Sequence, residues 1–151
     1  MKTWNTFKRC LDDDPSLVSV TGTVHFAGTL CFHKALPLIH VITTWSDAGR
    51  ALRYLMYSGA DVHVKDKRGR TPLHWSAGYN PDVAVAKCLV AHGADIHAED
   101  CRGLTPFDVS FRYAKSDEVG LYFLELMTGS KGAEVTDMNI LRSIWGKGES
   151  Q

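Results

Sequence analysis

Two stretches of the sequence share one pattern at a fixed distance. Residues 65–80 are KDKRGRTPLHWSAGYN and residues 99–114 are EDCRGLTPFDVSFRYA, so an Asp, a Gly and a Thr-Pro pair recur 34 positions later. The tripeptide Gly-Ala-Asp at 59–61 recurs at 93–95 with the same offset of 34, and a related Gly-Ala-Glu follows at 132–134. Several independent markers in one register indicate a chain built from repeats that stack on one another.

The recurring residues mark where helices begin and end. Thr71 and Thr105 are candidate N-caps, each followed by a proline at the first helical position, where its missing N–H costs nothing. Apolar residues at helical spacing within 83–90 predict a second helix, and Gly93 suits a left-handed C-cap. The polar stretch at 94–103 predicts a β-hairpin-like finger. Two such short helices cannot bury their apolar faces alone, so the units must stack.

These residues resemble the ankyrin-repeat family. The resemblance rests on Asp66, Gly69, the TPLH tetrapeptide at 71–74 and the GAD tripeptide at 93–95, with counterparts in the next unit, and it is specific through residues 55–110. It implies an all-α solenoid of about four helix–turn–helix units with projecting β-hairpin loops. It also implies that His74 hydrogen-bonds to the backbone of a finger. In the TPFD tetrapeptide at 105–108 an Asp replaces this residue, so the inner helix of that unit lacks the usual histidine.

The resemblance divides the chain as a single domain, residues 1–151. Within it we expect a degenerate N-terminal cap at 1–30, a degenerate repeat at 31–65, repeats at 66–99 and 100–135, and a C-terminal capping helix within 136–151. In the degenerate repeat, Pro37 and Leu38 are aligned with Pro72 and Leu73. Asp137 is the candidate N-cap of the capping helix. Atypical end units are expected because the ends of a stack face water.

The charge balance argues against a general attraction to nucleic acid or membranes. Seventeen Lys and Arg residues match 17 Asp and Glu residues, giving a formal net charge of zero. The charge is uneven, with ten basic and six acidic residues in 1–76 (10 − 6 = +4) and seven against eleven in 77–151 (7 − 11 = −4). No apolar run approaches the ~20 residues of a membrane span, and no secretion signal is evident, so we expect a cytoplasmic protein, monomeric by default.

The sequence offers little for catalysis, metals or cofactors. Seven histidines and four widely spaced cysteines form no pair at metal-ligand spacing, and the cysteines are expected to be free thiols. No phosphate-binding glycine loop occurs. We therefore expect no enzyme activity, no cofactor and no metal site, while an unrecognised enzyme or metal protein among the histidines stays open as an alternative.

The remaining candidate site is a surface. By alignment, finger tips and inner helices line one face, and the residues expected to bind a partner there are Lys65, Lys67, Arg68, Arg70, Tyr79, Arg102, Leu104, Arg112, Tyr113 and Trp45. Arg and Tyr dominate interface energetics. We expect a non-catalytic protein-binding module for a partner with an acidic surface, specifically a stand-alone inhibitor or immunity-type protein that occludes or scaffolds it. The alternative is a nucleic-acid-associated protein that uses the basic tips, which the zero net charge disfavours.

Overall fold

The computed structural model describes residues 2–18, 25–26, 30–31, 37–45, 48–114 and 116–129. The Gly-Ala-Glu at 132–134 and the expected capping helix in 136–151 lie outside the described residues. The helices are α1 (Lys2–Asp13), α2 (Leu38–Ile42), α3 (Ala48–Tyr57), α4 (Pro72–Tyr79), α5 (Val83–Ala91), α6 (Pro106–Tyr113) and α7 (Asp117–Thr128), with a short 3-10 helix at Pro15–Val18. Two-residue strands β1 (His25–Phe26) and β2 (Leu30–Cys31) pair antiparallel, with His25 opposite Cys31.

The helices form two layers. Helices α2, α4 and α6 pack side by side in an inner layer, while α3, α5 and α7 form an outer layer, and each inner helix packs on the outer helix that follows it in the chain. Helix α1 packs against α3 at one end. This is the all-α repeat fold that the 34-residue register predicts, since each helix pair buries its apolar faces against its neighbours.

The predicted helix boundaries are confirmed at α4 and α6. Thr71 and Thr105 are the N-caps, each with an extended backbone conformation and a proline at the start of the helix. In α6 the Asp108 carboxylate accepts from the Thr105 N–H at 2.8 Å, and the Thr105 hydroxyl accepts from the Asp108 N–H at 3.3 Å. This reciprocal pair is a capping box that satisfies two N–H groups at the helix start.

The predicted left-handed glycine at the end of α5 is also confirmed. Gly93 has φ +88°, and the next residue, Ala94, donates its N–H to the Leu89 carbonyl at 3.0 Å. The same bond closes α3, from Ala60 to the Leu55 carbonyl at 2.9 Å. These 6→1 bonds belong to the Schellman motif, in which glycine avoids the Cβ clash of the left-handed conformation.

The alignment expected for the first helix pair is wrong by one residue. His40 Nε2 lies 2.9 Å from the Arg70 carbonyl oxygen, and His74 Nε2 lies 2.9 Å from the Leu104 carbonyl oxygen. His40 is therefore the counterpart of His74, at the same offset of 34, and Pro37 occupies the N-cap position of Thr71 rather than the position of Pro72. The alignment is displaced because proline itself stands at the N-cap position in this unit. In the other two units a threonine occupies the N-cap and the proline follows it.

The loops between units close as tight turns. Asp66 donates its N–H to the Arg70 carbonyl at 2.9 Å, and Asp100 repeats this bond with Leu104 at 3.0 Å. Neither loop contains a strand between residues 61 and 71 or between 95 and 105. The two turns are joined because Cys101 donates its N–H to the Arg68 carbonyl at 2.8 Å. Neighbouring fingers are thus held in register by their own backbone.

Two glycines should respond in opposite directions to the same substitution. A Cβ on either Gly49 or Gly93 would meet no atom within 4 Å, so only the backbone conformation distinguishes them. We expect Gly93→Ala to lower the free energy of unfolding by about 1 kcal/mol, because alanine resists the left-handed conformation. Gly49→Ala, in the first turn of α3, should raise it by about 0.5 kcal/mol. Urea denaturation of both variants checks this, and equal shifts would contradict the C-cap assignment.

Candidate functional site

Asp66 is the centre of the finger that carries most of the predicted basic residues. Its Oδ1 accepts the backbone N–H groups of Arg68 and Arg70 at 2.8 and 2.9 Å. Its Oδ2 accepts from Arg70 Nε at 2.8 Å and from Trp75 Nε1 at 3.0 Å. The Asp66 side chain is only 2% exposed, and all of its bonds are charge-assisted. One carboxylate therefore fixes both the turn and the guanidinium that follows it.

The ionised state of Asp66 is favoured by these bonds. Burial alone would raise the pKa of the carboxyl, but hydrogen bonds from the Arg70 and Arg68 backbone and from the Trp75 and Arg70 side chains outweigh burial and lower it. Asp66 is therefore a carboxylate at neutral pH, and its charge is balanced within the finger by Arg70.

Asp100 occupies the same place in the next finger but has fewer partners. Its Oδ1 accepts from the N–H groups of Arg102 and Leu104 at 2.8 and 3.0 Å. Its Oδ2 has no hydrogen-bond partner among the described residues, and the nearest cation, Arg102 Nη2, lies 3.6 Å away. The difference follows from the sequence, because Leu104 stands where Arg70 does and Val109 stands where Trp75 does.

His74 links two successive units, as the family resemblance implies. Its Nδ1 accepts the Thr71 N–H at 3.1 Å, and its Nε2 donates to the Leu104 carbonyl at 2.9 Å. Both contacts fix the neutral tautomer that carries its proton on Nε2. His40 also contacts the next finger through its Nε2, which lies near the Arg70 carbonyl. Its Nδ1 has no hydrogen-bond partner among the described residues, since Pro37 has no N–H to donate.

The buried histidines predict acid sensitivity. Burial lowers the pKa of both His40 and His74 from the ordinary value of about 6.5, against the raising effect of the carbonyls they contact. Below about pH 6.5 the unfolded chain therefore binds more protons than the folded chain, and the free energy of unfolding falls as the pH drops. Above this pH the contribution of both histidines is fully present.

Denaturation by urea at about pH 7.5 and about pH 5.5 measures this effect. We expect lower stability at the acidic pH and a smaller loss in His74→Gln, which removes one of the two titrating groups. Equal stability of the original chain at both pH values would contradict the assignment of the neutral, buried state.

The predicted basic tips separate into free and paired residues. Lys65, Lys67 and Arg68 are exposed and contact no carboxylate among the described residues. Arg70 was expected on the exposed tip, but its side chain is only 15% exposed, pairs with Asp66 at 2.8 Å and lies over the Trp75 ring at 4.4 Å. Arg70 therefore stabilises the finger and is not a free cation of the rim.

The predicted tyrosines lie next to arginines. Tyr79 is 42% exposed and its hydroxyl accepts from Arg70 Nη1 at 3.4 Å, while Tyr113 is 50% exposed. A side-chain hydrogen bond to Tyr113 raises the pKa of Arg102, so these two side chains also meet. The two tyrosines occupy equivalent positions on α4 and α6, which pack directly on one another. The two arginines are not equivalent, because at the offset of 34 Arg70 corresponds to Leu104 and Arg102 corresponds to Arg68.

The remaining predicted site residues are less available to a partner. Trp45 is half-buried, with its ring 5.9 Å from the Phe7 ring of α1, and Leu104 is half-buried against the core. Arg112 is exposed in the last turn of α6. The face defined by the exposed cations of the tips (Lys65, Lys67, Arg68, Arg102) and by Tyr79 and Tyr113 is hereafter the tip–tyrosine face.

Sequence reasoning missed Asn80, which ties this face to the preceding unit. Its Nδ2 donates to the carbonyls of Thr43 and Trp45 at 2.7 and 2.9 Å, and the residue is fully buried. The sequence signal for this role is an asparagine directly after the helix pattern of 71–79. A polar side chain that is buried at the end of a helix needs hydrogen-bond partners, which indicates a structural role. Asn80 therefore holds the end of α4, where Tyr79 lies, against the end of α2.

Within the described ranges, no group of three or more His, Cys, Asp or Glu side chains is placed to hold a metal ion. None of the helices in those ranges has the length and apolarity needed to cross a bilayer.

Comparison with known families agrees with this architecture. The sequence model of ankyrin repeats, described as three copies, matches residues 39–139. A comparison with curated proteins finds no match to the chain. Ankyrin repeats are generally protein–protein interaction modules. The matched segment covers about two thirds of the sequence and contains the stacked helix pairs, the capped TP motifs and the histidine links between units, so the chain belongs to the ankyrin-repeat family.

Proposed function

We propose that the chain binds a protein partner through the tip–tyrosine face and thereby occludes or scaffolds it, in the manner of an inhibitor or immunity-type protein. The observation that carries this proposal is a pair of exposed tyrosines, Tyr79 and Tyr113, at equivalent positions on two adjacent units, with the exposed Arg102 beside Tyr113. Large amphipathic rings and guanidinium groups are the side chains from which interface hot spots are built.

The charge of the face indicates the partner's chemistry. Lys65, Lys67 and Arg68 have no carboxylate partner among the described residues, so the finger they share carries uncompensated positive charge. The acidic Asp66 in the same finger is already neutralised by Arg70. An acidic protein surface fits this finger, because complementary charge speeds association and fixes orientation.

Three described cysteines, Cys10, Cys88 and Cys101, are free thiols. Free thiols persist in a reducing compartment. They support the proposal that the chain acts in the cytoplasm, where we propose that it binds its partner as a monomer.

Binding kinetics with the partner recovered by affinity capture test the proposed face. We expect Arg68→Glu to slow association and to flatten the dependence of the association rate on salt. Charges at the rim of an interface act mainly on the rate at which the two proteins meet. Tyr79→Ala should speed dissociation, with a loss of about 2 kcal/mol in binding free energy if the ring is a hot spot. Arg70 is unsuitable for such a test, since reversing its charge would break the contact with Asp66 that stabilises the finger.

Tyr57→Ala is the matched control. Tyr57 is 91% exposed at the end of the outer helix α3, so it is the more accessible tyrosine but lies in the other layer. The proposed face is wrong if Tyr57→Ala weakens binding while Tyr79→Ala and Arg68→Glu leave both rate constants unchanged.

A further inference from the structure

The two fingers of the tip–tyrosine face differ in charge. Residues 65–70 contain four basic side chains and one acidic side chain, a formal charge of +3, while residues 99–104 contain one basic and two acidic side chains, a formal charge of −1. At the offset of 34, Lys65 corresponds to Glu99 and Arg70 corresponds to Leu104. The acidic partner surface that fits the first finger therefore does not fit the second finger, whose charge favours a cation.

Asp100 is the residue of the second finger that lacks a donor. Its Oδ1 accepts the backbone N–H groups of Arg102 and Leu104, but its Oδ2 has no hydrogen-bond partner among the described residues. The side chain is only 1% exposed. Burial raises the pKa of this carboxyl, but the two backbone hydrogen bonds and the charge of Arg102 outweigh burial and lower it, so Asp100 is ionised at neutral pH. A buried, charged oxygen without a donor is costly.

The first finger shows which group satisfies such an oxygen. Asp66 Oδ2 accepts from Arg70 Nε at 2.8 Å and lies 2.8 Å from Arg70 Nη2, so one guanidinium places two N–H groups on this atom. The Arg70 side chain is held there with only 15% of its surface exposed. Leu104 occupies the position of Arg70 in the second finger and has no side-chain donor. The second finger therefore has the acceptor of this contact without its arginine.

Arg102 does not replace Arg70 in this contact. Its Nη2 lies 3.6 Å from Asp100 Oδ2, which is longer than a hydrogen bond. A hydrogen bond with Tyr113 is the largest cause of the raised pKa of Arg102, and the attraction of Asp100 is a smaller one. The Arg102 side chain is 52% exposed, so it can turn toward solvent at little cost. A second guanidinium can then reach Asp100 Oδ2.

We propose that Asp100 binds an arginine side chain of the protein partner, whose guanidinium donates to Oδ2 as Arg70 donates to Asp66 within the chain. This inference rests on the proposed function and specifies one further group of the partner, an arginine opposite the second finger. The buried carboxylate gains charge-assisted hydrogen bonds, which are stronger than those between neutral groups. Arginine is favoured over lysine because its guanidinium is planar and more weakly hydrated, which suits a buried carboxylate.

Titration of the isotopically labelled full chain with N-acetyl-arginine amide tests the site by NMR. The backbone N–H groups of Arg102 and Leu104 donate to Asp100 Oδ1, so their signals report on this carboxylate. We expect saturable shifts of these two signals. The Arg68 and Arg70 N–H groups donate to the paired carboxylate of the first finger, and their signals should not shift. N-acetyl-citrulline amide, a neutral isostere, should bind about tenfold more weakly.

Two variants change the site from opposite directions. Asp100→Asn keeps an acceptor for the backbone but removes the charge, while Leu104→Arg supplies a guanidinium from within the chain. Each should lower the affinity for N-acetyl-arginine amide about tenfold and speed dissociation of the captured partner by a similar factor. Leu104→Arg should do so while raising the denaturation midpoint, which a merely destabilising change cannot do. Glu99→Gln, at an exposed acidic neighbour, should keep the preference for arginine over citrulline.

The inference is overturned if the second-finger signals do not shift, if the first-finger signals shift equally, or if the shifts survive Asp100→Asn. It is also overturned if the captured partner dissociates from both variants at the original rate, or if Glu99→Gln abolishes the preference for arginine. These outcomes leave the proposed function standing, since that is judged on Tyr79→Ala and Arg68→Glu.

Discussion

Replacing Asp66 with asparagine should be among the most destabilising single-atom changes in this chain. The Asn Oδ1 can still accept the two backbone N–H groups, but its Nδ2 would face Arg70 Nε and Trp75 Nε1, which are both donors. The buried ion pair between Asp66 and Arg70 would be broken. Three hydrogen-bond donors, the new Nδ2, Arg70 Nε and Trp75 Nε1, would then face one another without an acceptor. We expect Asp66→Asn to lower the free energy of unfolding by about 3–5 kcal/mol, measured by urea denaturation at neutral pH.

Asp100→Asn is the matched control. The Asp100 Oδ2 has no hydrogen-bond partner among the described residues, so an NH₂ group in its place displaces no donor, and we expect a cost below about 1 kcal/mol. Leu104→Arg should supply the missing partner and make the chain more sensitive to Asp100→Asn. Equal costs for the two asparagine variants would contradict the different roles assigned to Asp66 and Asp100.

Replacing His74 with alanine should have the second large effect. The ring is fully buried and connects the start of α4 with the next finger. Its loss leaves the Thr71 N–H without its acceptor and opens a cavity between two units. We expect a loss of about 3 kcal/mol in the free energy of unfolding. Because the contact crosses units, the unfolding transition should also become less cooperative.

Asp108→Ala is the control for this variant, since Asp108 holds the same position in α6. Asp108 caps the helix through Thr105 but is shorter than histidine and only half-buried. We expect a cost of about 1 kcal/mol, the usual value for a lost cap. If His74→Ala and Asp108→Ala cost the same, the contact with Leu104 contributes nothing and the link between units is not the source of stability.

The fold could be predicted from the sequence because its signals are local. Thr71 and Thr105 cap helices through residues three positions away, and Gly93 ends a helix through its own φ angle. Because the chain is built from repeats, each of these local signals recurs at the same offset of 34 residues. The same reasoning failed at Pro37, because a proline can stand at an N-cap or one position later, and only the contact of His40 with Arg70 shows which occurs.

The roles of individual surface residues could not be predicted in the same way. Arg70 and Arg68 are two positions apart in a polar turn, and nothing in their spacing indicates that one folds back onto Trp75 while the other stays exposed. That outcome depends on Trp75, nine residues from Asp66, reaching the same carboxylate oxygen. Trp45 is similar, because its partner Phe7 lies in α1, far away in the sequence. Contacts between distant residues decide exposure, and a local pattern does not contain them.

We propose that the tip–tyrosine face contacts the protein partner directly. The most direct test of this proposal places a photo-crosslinking phenylalanine derivative at Tyr79, at Tyr113 or at Tyr57 and irradiates the chain with its captured partner. We expect one adduct of the same mass from Tyr79 and Tyr113, with a lower yield when Arg68→Glu is added, and none from Tyr57 although its side chain is 91% exposed. An adduct from Tyr57 alone, or equal adducts from all three positions, would contradict the proposal.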